Sequence, residues 1–347
     1  MIVPGNINKY AKKDPEEILR ENLFKKFGKR FLDYRKRYEE NVNKKSSEID
    51  QLDYPNTILL ELVNRCDLEC KMCYQGFRND AKKSVLNEEI LDKIFLDFKK
   101  NKLNSLMFSA SEPLLYKKIG SVFKRAKEAD IMDIFLFSNG TLLNEANSKM
   151  ILESSLTRLF ISIDAATEDT YKKVRVPVSK RLLDQKRLEK LENNIKNFIH
   201  LRDNVYKKSL PLVRTSFVAL EKNKHEINLF IEKWKNIVDS VEIQKKVIPH
   251  SAFEEAEKAN FENESKISKN YDCKEPWGQM TIWSDGTVSP CCATFGRNIP
   301  IGNVEKNSIS ELWNSKNISS VRDSFKENSP NSVCKTCIDN TIDHISN

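Results

Sequence analysis

Between Thr57 and about Pro249, short β-rich runs alternate with amphipathic stretches, and no other feature of the sequence restricts the fold so tightly. The runs are Thr57 to Val63, Ser105 to Ser109, Asp133 to Phe137, Leu159 to Ile163, Leu212 to Leu220 and Val241 to Val247. Between them, Asn87 to Lys100, Lys117 to Ala129, Asn144 to Ser154, Leu182 to Leu201 and Lys224 to Val238 carry helical periodicity. Six βα units of this kind imply a parallel sheet with crossover helices. Composition alone leaves open a doubly wound sheet or a partial barrel. In either, chemistry gathers at the carboxyl ends of the strands.

Residues 1–53 form a charged extension whose helix is expected to begin at Asp14, where Asp14-Pro15-Glu16-Glu17 offers a cap and a first-turn proline. Leu19, Leu23, Phe27, Phe31, Tyr34 and Tyr38 then read as one apolar helix face. It would pack on the next domain, or serve as a lid or partner-docking helix. Tyr54-Pro55-Asn56 marks the boundary, so the expected organisation is 1–53 extension, 54–250 core, 251–270 linker and 271–347 a small last domain.

Cys66, Cys70 and Cys73 follow the first β-rich run, with three and then two residues between them. A zinc ion normally takes four close ligands, whereas three thiolates suit a 4Fe-4S cluster that keeps one iron open. A zinc or inert cysteine group is the plainer alternative. The stretch Asn64-Arg65-Cys66-Asp67-Leu68-Glu69-Cys70-Lys71-Met72-Cys73-Tyr74 resembles the signature loop of radical S-adenosylmethionine (SAM) enzymes. That resemblance implies SAM chelating the open iron and, after one-electron reduction, a 5'-deoxyadenosyl radical that takes a hydrogen atom from an unactivated C–H bond. It also implies the fold class: α/β, a partial (β/α)6 barrel with a small C-terminal cluster-binding domain of hairpin and helix, and an N-terminal helical extension.

The same resemblance assigns SAM contacts. Ser109-Ala110-Ser111-Glu112-Pro113 falls where relatives carry Gly-Gly-Glu-Pro, which makes Glu112 a partner for the SAM ammonium or else an ordinary loop carboxylate. Ala110 and Ser111 replace the glycines, putting a close backbone approach in doubt. Ser138 and Asn139, in Ser138-Asn139-Gly140-Thr141, resemble a turn facing ribose and carboxylate, with a plain strand-to-helix turn as the alternative. Ser162 and Asp164 share one face of the fourth strand by alternation, Arg175 would fork onto a carboxylate or lie on the surface, and Met72 would lie near adenine. His200, His225, His250 and His344 show no ligand spacing.

The remaining cysteines lie near the C-terminus. A hairpin with Asp285-Gly286 at its turn would carry Cys291 back towards Cys273, and a capping box at Ser308-Ile309-Ser310-Glu311 opens a helix before Cys334-Lys335-Thr336-Cys337. This region resembles SPASM/twitch auxiliary-cluster domains, implying that Cys273, Cys291, Cys334 and Cys337 hold a second 4Fe-4S cluster; a zinc ribbon is the alternative. Cys292 is left over: a buried thiol, a replacement for Cys291 as ligand, or a catalytic hydrogen-atom donor that inverts a stereocentre.

With 58 basic and 50 acidic residues spread along the chain, the +8 charge marks no nucleic-acid-binding block, and no apolar run is long enough to span a bilayer. The chain reads as cytoplasmic, its clustered cysteines pointing to metal in a reducing compartment. The favoured function is a radical SAM oxidoreductase or epimerase acting on a carbohydrate-type small molecule, with an anionic sugar or nucleotide-sugar suited to the positive charge. It would be served by a low-potential donor such as flavodoxin or ferredoxin. The alternatives are peptide maturation or epimerisation, and an iron-sulfur electron carrier without SAM turnover.

Overall fold

The computed structural model describes residues 6–11, 14–70, 72–73, 84–183, 185–245, 270–291 and 297–339. Its strands are β1 (Asn6–Ala11), β2 (Thr57–Leu60), β3 (Ser105–Phe108), β4 (Asp133–Ser138), β5 (Arg158–Ser162), β6 (Leu212–Ala219), β7 (Ser240–Lys245), β8 (Gln279–Ile282), β9 (Thr287–Ser289) and β10 (Gly302–Asn303). They form one sheet in the order β1-β7-β6-β5-β4-β3-β2-β8-β9-β10. From β2 to β7 every neighbour pair is parallel, so the six expected βα units are present. The expected linker, apart from Asn270, lies outside the described residues.

The helices are α1 (Pro15–Phe27), α2 (Lys29–Asn43), α3 (Glu88–Lys100), α4 (Ile119–Glu128), α5 (Glu145–Glu153), α6 (Glu168–Val174), α7 (Arg187–His200) and α8 (Ile227–Trp234). Four more follow: α9 (Glu275–Gly278), α10 (Ile309–Trp313), α11 (Lys316–Lys326) and α12 (Ser332–Asp339). Asn87, Asn144 and Thr167 cap α3, α5 and α6 with their side chains, so each crossover helix starts where a polar residue can satisfy its first amides. Apolar residues on the helices meet Ile58, Leu60, Leu106, Phe108, Ile134, Leu136, Leu159, Ile161, Val213, Phe217, Val241 and Ile243 in one core between sheet and helices. Period-2 alternation therefore sends the other strand residues, among them Met107, Phe137, Phe160, Arg214 and Glu242, to the inner face.

Two expectations need correction. The extension is not one helix, because Gly28 (φ +53°, ψ −128°) ends α1 and starts α2, folding the apolar residues into a helical hairpin. Nor is it purely helical: β1 pairs antiparallel with β7. Helical periodicity cannot register the break, since Leu19, Leu23, Phe31 and Tyr34 stay on one buried face against Met132 and Leu212. The fourth crossover helix also starts later than expected, at Arg187 rather than Leu182.

The C-terminal hairpin formed as expected, with Gly286 at φ +79° in the turn, but it is no separate layer. Strand β8 adds in parallel to β2, with Thr57 opposite Gln279 and Leu60 opposite Ile282.

Candidate functional site

The carboxyl ends of β2 to β5 bring most of the expected residues together. After β2 the chain runs through the cysteine loop, held on one side by segment 176–178: Glu69 N–H donates to Val176 O at 2.7 Å and Val178 N–H to Asp67 O at 3.0 Å. On the other side Asn139 Nδ2 donates to Asp67 Oδ1 at 2.7 Å and Thr141 Oγ1 to Asp67 Oδ2 at 2.6 Å. The loop is thus fastened to the turns after β4 and α6.

Buried Glu112 follows β3. Its carboxylate accepts from Ser138 Oγ (2.9 Å) and from the amides of Asn139 (2.8 Å) and Leu114 (3.2 Å). Burial pushes its carboxyl up to about 7 against those hydrogen bonds. Glu112, Ser138 and Asn139 therefore form one tied unit, with Glu112 N–H bonded to Arg65 O beside Cys66. Ala110 stands at φ +81°, so the backbone takes the left-handed conformation of the missing glycine despite its Cβ. Gly140 (φ +73°) is required twice over, since a Cβ there would lie 2.5 Å from Leu191 Cδ1.

Arg175 is buried rather than on the surface. Its guanidinium pairs with Asp164 and donates to Cys70 Sγ at 3.6 Å. Asp164, past the end of β5 at φ +62°, also accepts from Val218 N–H at 2.7 Å. Ser162 is half-buried at the end of β5, and Met72 packs at the edge of the main core.

Whether the cysteines suit a cluster is tested by what surrounds their sulfurs. Cys66 Sγ receives Leu68 N–H at 3.5 Å and Asn139 Nδ2 at 3.6 Å, while Cys70 Sγ receives Arg175. Such donors suit a sulfur that carries negative charge. As free thiols the two are held protonated: burial pushes Cys66 up to about 12 and raises Cys70. A bound metal would supply the compensation, so the donor set fits a metal-ligated thiolate. Cys73 stays close, its N–H bonded to Cys70 O at 2.9 Å. Among the described residues no three His, Cys, Asp or Glu side chains close on a point that would seat a single ion.

In the C-terminal part, Cys273, Cys334 and Cys337 lie near enough for Cys273 to feel both of the others, and burial raises all three, Cys334 to about 11 and Cys337 to about 12. Cys291 ends the hairpin, its carbonyl accepting from Thr281 Oγ1 at 2.5 Å. Cys292 lies outside the described residues.

Sequence reasoning missed three charged groups. Glu61 is wholly buried; it accepts from Ser284 N (3.1 Å), Ser284 Oγ (2.8 Å), Arg297 Nη1 (3.3 Å) and Ser111 Oγ (3.2 Å), joining the Glu112 loop to the C-terminal hairpin. Its signal was a lone carboxylate within Leu60-Glu61-Leu62-Val63. Arg214 and Glu242 pair inside the barrel, with the Arg214 guanidinium 3.5 Å from the centroid of the Phe160 ring. They too were charges inside expected strands.

Residues 60–204 match the Radical SAM superfamily, and residues 273–338 match SPASM, an iron-sulfur cluster-binding domain. Curated relatives include a "Probable GTP 3',8-cyclase" of Methanocaldococcus jannaschii, 24% identical over 52% of this chain and 55% of that protein. One of Saccharolobus solfataricus is 26% identical over 54% and 56%. The chain thus spans little more than half the length of these relatives. Among solved structures, Streptococcus suis SuiB bound to its precursor peptide SuiA matches with TM-score 0.56 at 15% identity, over 87% of this chain and 79% of that one. The structure of anSMEcpe with bound AdoMet matches with TM-score 0.55 at 15% identity, over 77% and 79%. These likenesses establish the fold. Among the described residues no helix is long and apolar enough to cross a membrane.

Proposed function

We propose, for a chain that carries a Radical SAM domain followed by a SPASM domain and so stands among the radical SAM enzymes, that it abstracts a hydrogen atom from a carbohydrate-type small molecule and oxidises or epimerises it. When bound, SAM and its cluster supply a 5'-deoxyadenosyl radical after one-electron reduction. The chain supplies position and shelter. Cys66, Cys70 and Cys73 would hold the SAM cluster, and Cys273, Cys291, Cys334 and Cys337 the auxiliary one. Glu112, Ser138, Asn139 and Met72 would border SAM, with Arg175 and Asp164 behind Cys70.

The substrate reading rests on the inner face of β4 to β7. There Phe137 and Phe160 pack edge to face at 4.9 Å, and across the sheet stand Arg214 and Glu242, with Ser162 opposite Ser216 and Ser216 opposite Glu242. Rings on one side and a donor–acceptor pair on the other suit a sugar ring, which offers a C–H face and hydroxyl groups. The extension supports the same reading: α1 and α2 bury their apolar face against the barrel and leave none of it for a peptide.

Anaerobic protein with iron and sulfide restored, treated with dithionite and SAM, is expected to release 5'-deoxyadenosine and methionine; intact SAM would leave only the electron-carrier reading. A panel of carbon-deuterated cyclitols and hexoses then identifies the class by deuterium transfer into 5'-deoxyadenosine. Transfer from a deuterated peptide instead would move the assignment to peptide modification. With the substrate in hand, turnover in deuterated water separates the outcomes: solvent deuterium at an inverted carbon requires a thiol donor such as Cys292, while a carbonyl product without it indicates dehydrogenation.

A further inference from the structure

We propose that the exposed segment Val178 to Leu183 is the docking surface for an acidic one-electron carrier protein that reduces the cluster at Cys66, Cys70 and Cys73. The inference rests on reading that trio as cluster ligands. The segment is fixed at both ends. At its start, the 176–178 strand is bridged to the cysteine loop, with Pro177 opposite Leu68 and hydrogen bonds to residues 67 and 69, the neighbours of Cys66 and Cys70. At its far end, Glu168 accepts the amides of Arg187 (2.9 Å) and Leu188 (2.8 Å), and Arg187 Nη1 donates to Arg175 O at 2.7 Å.

Between these anchors the chain presents to solvent what folding normally hides. Val178 is 51% exposed, Leu182 37% and Leu183 40%. Exposed cations surround them: Lys173, Lys180, Arg181 and Lys186. Apolar side chains rimmed by charge of one sign mark a contact site. A second copy of this chain would set cation against cation, whereas an acidic protein meets complementary charge and is steered to the patch. The patch is small, as suits a carrier that must leave after each electron, since redox encounters bury less surface than stable complexes. One electron leaves the reduced cofactor of the carrier and reduces the cluster by one; no bond forms or breaks and no proton moves. The route is short, because segment 176–178 is hydrogen-bonded to the residues flanking two of the thiols.

The test compares two reductants on the reconstituted protein. Reduction of the SAM cluster is followed by stopped-flow absorbance with dithionite, and separately with a reduced acidic flavodoxin and a reduced plant-type ferredoxin. Lys180→Glu with Arg181→Glu should slow carrier-driven reduction about tenfold or more and flatten its dependence on ionic strength, and Leu182→Ser with Leu183→Ser should slow it at all salt concentrations. Dithionite-driven reduction and dithionite-driven SAM cleavage should stay unchanged in both variants. The proposal is overturned if carrier-driven rates change less than about twofold, if dithionite-driven rates fall in parallel, or if neither carrier reduces the wild-type protein at low salt. Loss of the cluster itself from the wild-type protein would instead remove the reading beneath it.

Discussion

The two ends of the barrel are built on opposite principles. At the amino ends of the strands, Asp133 accepts from Thr157 Oγ1 (2.5 Å), Arg158 Nη2 (3.0 Å), Arg158 Nε (3.3 Å) and Tyr34 O–H (3.4 Å), and Arg158 reaches Glu16 of α1 at 3.5 Å. Every charge there meets its opposite, and the α1–α2 hairpin closes over the end. A cavity of about 150 Å³ remains, lined by Tyr34, Tyr38, Met107, Phe135 and Trp277 among others. At the carboxyl ends, by contrast, Ala110 and Asp164 adopt left-handed backbone, buried thiols are pushed far from ionisation, and Glu112 is raised. Strain and uncompensated burial are concentrated where a cofactor would relieve them, and the other end supplies the stability that tolerates them.

Breaking the stable end should have the largest effect. Arg158→Met leaves Asp133 buried without its cation and should cost about 3–5 kcal/mol in chemical denaturation, while iron bound per folded molecule stays at the wild-type value. If iron is lost in proportion to stability, the two ends are not independent. At the strained end, Arg175→Met combined with Asp164→Asn removes the donor to Cys70 without orphaning a carboxylate. In an EPR-monitored titration the SAM cluster should become harder to reduce by about tenfold, roughly 59 mV for one electron, with the auxiliary cluster unmoved. Equal shifts in both clusters would mean a general loosening instead.

The smallest effect concerns Glu112. Its folded carboxyl sits near about 7, above the model-peptide value, so its contribution to stability is full below about pH 4.5 and is lost as pH rises through about 7. Glu112→Gln should therefore flatten the decline in denaturation midpoint between about pH 5 and about pH 8. An unchanged slope would assign that decline to other groups.

The difference between the two ends also explains what could be read from the residues alone. The six strands, the cysteine trio and the caps at Asp14 and Ser308 follow from local chemistry, periodicity and spacing, and they stand where expected. Gly28 escaped notice because a helical hairpin and a single helix can bury the same apolar residues. Arg175 was read as facing a ligand carboxylate or solvent, but its partners, Asp164 and Cys70, are assembled only when three loops meet. Glu61 and the Arg214–Glu242 pair were visible as charges inside apolar strands, yet their partners come from distant parts of the chain, which no local pattern reports.

The parallel addition of β8 to β2 has a consequence for anyone who shortens this protein. Cut before Gln279, the first stave of the barrel would present bare amides and carbonyls along one whole side, an open template for chains to pair with one another. A truncated core should come out of the cell as aggregate, and it would do so because it lost a neighbour in the sheet, whatever became of its iron.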